Sequence, residues 1–263
     1  MTDKIKVRGD DLEMKNIYAY GVGHFMNDLC ASCWFYFLSY YLIEILELGE
    51  YNAGYVMFAG QLADAISTPL VGILSDKTDT KLGKRTPWYI GGSGLVTISF
   101  ALIFIKAISD RAAPGSKLFY YILFPALFNI GWAAVQVSHM SLCPALTLNK
   151  HNKELMIRIR TGFTFIAQTI TLVFSYIYFK LIKNKMLQYE LLALSCLGLG
   201  ITASIIFLIY CRENILTKNI PTYYNQMKEK LKLLENTENE QKISNPSLKA
   251  TTIEQEYDWK YWM

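Results

Sequence analysis

Three polar side chains stand inside long apolar runs at one shared depth: Asp28, Asp64 and Gln136. Asp28 lies about ten residues into the run 18–43, roughly 15 Å along a helix rising 1.5 Å per residue. Asp64 lies about eleven residues into the run 53–74, and Gln136 about ten residues from the end of the run 118–146, so all three fall near mid-run on different helices. An ionisable group at bilayer depth costs at least a few kcal/mol and therefore marks function by default. Two readings stand for the trio: a central binding site, or a buried structural hydrogen-bond network. His24 precedes Asp28 by four residues on one helical face. Such a pair can pass or store a proton, and an interfacial histidine bonded to a carbonyl fits the same position. Asn129 and His139 share the face of Gln136. Arg160 opens the run 159–182; it either snorkels to headgroups or turns inward to neutralise Asp28 or Asp64, and the inward reading is preferred.

The elements that must position these groups are six apolar runs, each long enough for the roughly 20 residues that a bilayer crossing takes. They are 18–43, 53–74, 88–108, 118–146, 159–182 and 189–211 of a 263-residue chain that is 52% hydrophobic and 14% aromatic. The net charge of +4 sits in loops rather than on one face, which argues against nucleic acid as a partner. Lys77, Lys81, Lys84 and Arg85, then Lys150, Lys153, Arg158 and Arg160, fill alternate loops, while the first loop carries Glu44, Glu47 and Glu50. That bias predicts both termini in the cytoplasm. Residues 1–16 are charged, so the first run is expected to act as its own signal. Cys30, Cys33, Cys143, Cys196 and Cys211 fall in or beside the runs and read as small packing residues, despite the redox-like spacing of Cys30 and Cys33. No Ser–His–Asp set, metal cluster or phosphate loop points to an enzyme, a metal or a cofactor.

The most specific stretch runs from Gly60 to Trp88. It holds Asp64, leaves its apolar run through Gly72–Asp76, turns at Gly83-Lys84-Arg85 and re-enters at Pro87-Trp88. A short basic loop between two apolar spans stays on the cytoplasmic side. Gly83 permits the turn, Pro87 suits a first helical turn, and Trp88 suits the interface. Gly60, Ala63 and Ser67 form a small-residue stripe that lets a neighbouring helix approach.

Gly72, Leu74 and Asp76, followed by Gly83, Lys84 and Arg85, resemble the helix 2–3 loop signature of the major facilitator superfamily. Asp64 to Gly72 and the closing Pro-Trp resemble its melibiose-permease branch, the glycoside–pentoside–hexuronide:cation symporters. The resemblance implies Asp28 as the helix 1 acid, Asp64 as the first helix 2 acid and Arg160 as the helix 5 arginine. Thr68 stands where that branch has a second helix 2 acid, Gln136 where it has the helix 4 acid, and Met140 where it has a sugar-stacking tryptophan. Those departures argue against sodium–sugar symport. Gly23 to Ser32, Gly60 to Asp64, Thr68 to Gly72, Gly131-Trp132, Gln136 to Leu142 and Trp259 to Trp262 further resemble one animal subfamily associated with cysteine import into lysosomes and melanosomes.

The expected protein is therefore an all-α, multi-pass six-helix bundle, the N-terminal half of a twelve-helix fold. The expected parts are a cytoplasmic tail (1–16), the bundle (17–211), a cytoplasmic linker (212–256) holding a short amphipathic segment, and the start of a truncated seventh helix (257–263). The expected function is secondary transport of a small polar solute by alternating access in a lysosome-type membrane. Asp28, Asp64, Gln136, Arg160, His24, Thr68, Asn129, His139 and Met140 would surround the solute or a coupling proton or cation, and Gly72, Asp76, Gly83, Lys84 and Arg85 would form a cytoplasmic gate. The expected partners are the solute, the bilayer and a second six-helix half. The alternatives are a cation-coupled sugar symporter, or a half-length membrane partner that transports nothing.

Overall fold

A computed structural model describes residues 12–105 and 112–218 of the chain. The tail at 1–11, the amphipathic segment in the linker and the 257–263 segment lie outside the described residues. The described residues are helical throughout, with no strand among them. Helices are the expected outcome for apolar spans, because a backbone in lipid must satisfy its own N–H and C=O groups.

The first apolar run is the exception to a continuous span. It divides into α1 (Met14–Val22), α2 (Phe25–Tyr40) and a π-helical turn (Tyr41–Ile45). The remaining spans are α3 (Glu50–Lys77), α4 (Thr86–Phe104), α5 (Pro114–Leu146), α6 (Lys150–Leu181) and α7 (Lys185–Tyr210), followed by a single turn, α8 (Glu213–Leu216). Among the described residues, five helices are long and apolar enough to cross a membrane individually; the broken first segment supplies the sixth run only when its pieces are taken together. Positive φ at Glu47 and Gly49 reverses the chain between the π turn and α3.

Pro69 lies inside α3, and Pro125 and Pro144 lie inside α5. Ser67, Ser138 and Thr171 return their hydroxyls to the carbonyl four residues back, as small polar residues do in apolar helices.

Two packing groups make the bundle. α3 and α4 both pack along α5, whereas α1 and α2 pack on α6 and α7. The α4–α5 crossing is close because Gly92 and Gly131 face each other: a Cβ on Gly131 would stand 2.9 Å from the Val96 nitrogen and 3.0 Å from the Gly92 carbonyl. In lipid, close approach of small residues replaces the hydrophobic drive that packs soluble helices. Tyr20, Met26, Tyr89, Phe100, Phe128 and Phe207 are fully buried in the shared core. The five cysteines are free thiols buried in it. α3 and α6 bury only 22% and 17% of their apolar windows, against 39–44% for α4, α5 and α7, so they carry the bundle's most uncovered apolar faces.

Candidate functional site

The helix break at Gly23 and His24 leaves carbonyls that need donors. The Tyr20 carbonyl accepts the Nε2–H of His139 on α5 at 2.8 Å, and the Gly23 carbonyl accepts the Tyr89 hydroxyl on α4 at 2.6 Å. A backbone break at membrane depth is tolerated where neighbouring helices restore its hydrogen bonds. The His139 ring stacks on Tyr20, centroids 4.3 Å apart, and is fully buried. Its Nδ1 has no hydrogen-bond partner. His139 therefore supports the break and does not reach a cavity.

The break points His24 into a charged cluster. His24 Nδ1 lies 3.0 Å from Asp28 Oδ1, and Thr164 on α6 donates its hydroxyl to Asp28 Oδ2 at 3.0 Å. Arg160 turns inward: its Nη2 is 3.3 Å from His24 Nδ1 and 3.5 Å from Nε2. Near-equidistance places the guanidinium across the imidazole rather than along either lone pair. Both Asp28 oxygens are thus engaged by protein donors, with Arg160 supplying the balancing charge one group away. Asp28 and His24 are buried.

Asp64 lies elsewhere. It sits on a half-open cleft of about 310 Å³ of empty space, part of it continuous with the outside. α2 contributes Ala31, Trp34 and Phe35, α3 contributes Gln61 and Asp64, and α5 contributes Phe128, Asn129 and Trp132. Thr68 donates to Asp64 Oδ1 at 3.1 Å, and Oδ2 has no hydrogen-bond partner among the described residues. Asn129 donates its Nδ2 to the Pro125 carbonyl at 2.8 Å, which leaves its oxygen to accept. Trp34 stacks on Phe128 with centroids 5.4 Å apart. The indole N–H groups of Trp34 and Trp132 are buried without partners.

The structure thus divides the expected single site in two. His24, Asp28 and Arg160 come together, and Asp64, Thr68 and Asn129 come together, but no hydrogen bond or ion pair joins Asp28 to Asp64 among the described residues. The two groups lie close along α2, since Asp28 and Ala31 are three residues apart on one face. Gln136 is half-buried one turn beyond Trp132 and does not line the cleft; Met140, a further turn on, is exposed. Trp34, Gln61, Trp132 and Thr164 escaped the sequence reading. Only Trp132 carried a signal, its four-residue spacing from Gln136 on the α5 face.

The loop after α3 is locked by a residue that the sequence did not single out. Glu213, buried after α7, accepts the backbone N–H groups of Lys84 (2.9 Å), Arg85 (2.9 Å) and Thr86 (2.9 Å), and the Thr86 hydroxyl (2.9 Å). These donors form the N-terminus of α4, where a carboxylate is favoured by the unpaired N–H groups and the helix dipole. Gly83 has φ +112°, and a Cβ there would overlap the Glu213 carboxylate. Arg85 reaches back to Ser75 Oγ (2.7 Å) and pairs with Asp76. Trp88 Nε1 donates to Thr78 (2.8 Å). Asp76, Gly83 and Arg85 therefore meet in one network. Lys84 contributes its backbone N–H, and Gly72 its carbonyl, which accepts the Ser75 hydroxyl at 3.1 Å, while the Cβ side of Gly72 faces open space.

The arrangement is a bundle of helices of membrane-span length and composition, with a broken first segment, a cleft bearing a carboxylate and a latched basic loop. A sequence family described as MFS/sugar transport protein matches residues 19–242. The chain belongs to this family, in its melibiose-permease-like branch. It is 40% identical to human major facilitator superfamily domain-containing protein 12 over 154 residues, which cover 57% of this chain and 32% of that protein. It is 30% identical to an uncharacterized symporter, sll1374, of Synechocystis over 162 residues, 59% of this chain and 29% of that protein. It is 32% identical to the sodium-dependent lysophosphatidylcholine symporter 1 of Gallus gallus over 142 residues, 53% of this chain and 26% of that protein. The matched stretch spans between about a quarter and a third of the length of these relatives. They are transporters and symporters by name or family, not enzymes.

Proposed function

We propose that this chain forms the N-terminal six-helix half of a secondary active transporter that binds a small polar solute at the Asp64 cleft and moves it by alternating access. The observation that carries this reading is a half-buried carboxylate with one free oxygen, facing a cleft open on one side, in a chain of a transporter family. In such carriers the solute sits near the midplane between two repeats that rock around it. The uncovered faces of α3 and α6 suit a second six-helix bundle that completes the cavity. The Arg85–Asp76–Ser75–Glu213 network then holds one of the two states on the cytoplasmic side, with both termini on that side. His24, Asp28 and Arg160 form a charge-balanced cluster one turn from the cleft, suited to a coupling proton. The finer reading, cysteine as solute and a lysosomal or melanosomal membrane as location, rests on the resemblance of Gly23–Ser32 and Gln136–Leu142 to an animal subfamily.

Uptake of labelled cysteine by vesicles bearing the chain together with the second six-helix half that completes the cavity tests this reading. Flux above that of empty-vector vesicles is expected; co-purification with a full-length relative and no flux would replace transport by a partner role.

A cation-coupled sugar symporter is the second reading, favoured by one observation. Trp34 and Trp132 line the cleft, aromatic rings available there in place of the exposed Met140. Sodium-dependent uptake of a labelled glycoside would establish it.

A further inference from the structure

We infer that the Asp64 cleft selects solutes carrying a protonated amine, with the positive charge seated between the Asp64 carboxylate and the surrounding aromatic faces. The inference rests on the cleft being the solute site and names the chemistry of what it takes.

Asp64 has no basic partner: no lysine, arginine or histidine lines the cleft, and among the described residues it forms no ion pair. Its sole protein donor is the Thr68 hydroxyl on Oδ1. Arg160, the cation nearest in sequence logic, is committed to His24 instead. A partly desolvated carboxylate without a counter-charge is a standing cost, which an incoming cation removes. An anionic solute would meet that carboxylate with nothing to offset it.

The walls decide which cation. Trp34, Phe35, Phe128 and Trp132 line the same cleft as Asp64, and Trp34 is held in place by stacking on Phe128. A bare inorganic cation must exchange its water for a shell of oxygens. Here the side-chain oxygens beyond Asp64 are the Thr68 hydroxyl and the amides of Gln61 and Asn129, a neutral set that leaves a bare cation one charged ligand. An organic ammonium needs less. Its N–H groups reach Asp64 Oδ2 and the Asn129 oxygen, and its polarised carbons lie on aromatic faces, where a desolvated cation is attracted to the ring quadrupole.

The test is equilibrium binding to the purified full chain in detergent, read by quenching of intrinsic tryptophan fluorescence. The probes are 2-phenylethylammonium chloride, its uncharged counterpart 2-phenylethanol, sodium chloride and a methyl glycoside. The ammonium is expected to bind saturably and the alcohol roughly tenfold or more weakly, the scale of one charge-assisted contact. Asp64→Asn should erase that preference, Asp64→Glu should restore part of it, and Glu154→Gln, an exposed acid far from the cleft, should leave it intact. Helical circular dichroism matching wild type confirms that each variant is folded. Equal binding of amine and alcohol, or an unchanged preference in folded Asp64→Asn, overturns the inference. Saturable sodium binding that the ammonium does not displace overturns it as well, by assigning Asp64 to an inorganic cation. Preferred binding of the glycoside overturns the amine class while leaving transport intact; ammonium binding without flux supports the amine class and tells against transport.

Discussion

The Nε2–H of His139 donates to the carbonyl of Tyr20 at 2.8 Å, from α5 to the last turn of α1. With the Tyr89 hydroxyl on the Gly23 carbonyl, this contact ties down a backbone break within an apolar segment, and the break is what sets His24 against Asp28 and Arg160. An unsatisfied buried carbonyl costs about 1–3 kcal/mol. Tyr89→Phe, which frees the Gly23 carbonyl, is therefore expected to lower the melting temperature of the detergent-solubilised chain, and His139→Ala, which leaves the Tyr20 carbonyl only the Gly23 N–H and removes the ring stacked on Tyr20, to do so as well. Melting curves that overlay wild type for both variants would show that the break does not need its caps.

Glu213 is expected to hold the α3–α4 loop through the α4 N-terminus. Glu213→Gln keeps the shape but lacks the charge that the N–H cluster favours, and Glu213→Ala leaves those donors bare. Charge-assisted hydrogen bonds contribute roughly 1.5–3 kcal/mol each to stability when buried. The loop should become open to limited proteolysis at Lys81, Lys84 and Arg85, more in the alanine variant than in the glutamine variant. Equal protease resistance of all three proteins would remove the latch.

Two glycines of the same motif should behave oppositely. Gly83→Ala places a side chain at φ +112° and into the Glu213 carboxylate, with backbone strain alone worth about 1–3 kcal/mol. Gly72→Ala adds a methyl where nothing stands within 4 Å. Thermal stability should fall for the first and stay within about 0.5 kcal/mol for the second, as surface changes usually do. The reverse order would mean that Gly72, not Gly83, is the constrained position.

Asp28 and Arg160 are expected to couple energetically through His24. Asp28→Asn alone leaves the Arg160 charge without its balancing carboxylate, a buried imbalance that is strongly destabilising. Adding Arg160→Gln should recover part of the loss, with a coupling energy of about 1 kcal/mol or more in a double-mutant cycle. Strict additivity would show that the two charges do not sense each other.

Much of this architecture was legible from residue patterns. The apolar run lengths and the basic loop point to the spans, because a lipid-crossing helix needs length and hydrophobicity and its cytoplasmic loops keep Lys and Arg. Asp64 stood out as a charge within an apolar run. The break at Gly23 and His24 did not, since the run 18–43 is apolar on both sides of it and the caps come from α4 and α5. Glu213 was invisible for a similar reason: its donors lie more than 120 residues away in the chain. Asp28 and Asp64 look equivalent in sequence, and only the side-chain partners separate the engaged acid from the free one.

The central claim is that Asp64 serves the transported solute. Its most direct test is initial-rate uptake of labelled cysteine into vesicles bearing the second six-helix half together with wild-type chain, Asp64→Asn or Asp64→Glu, with membrane insertion matched by surface labelling. The account predicts uptake abolished in Asp64→Asn and partly kept in Asp64→Glu. Wild-type uptake by a correctly inserted Asp64→Asn variant would contradict it.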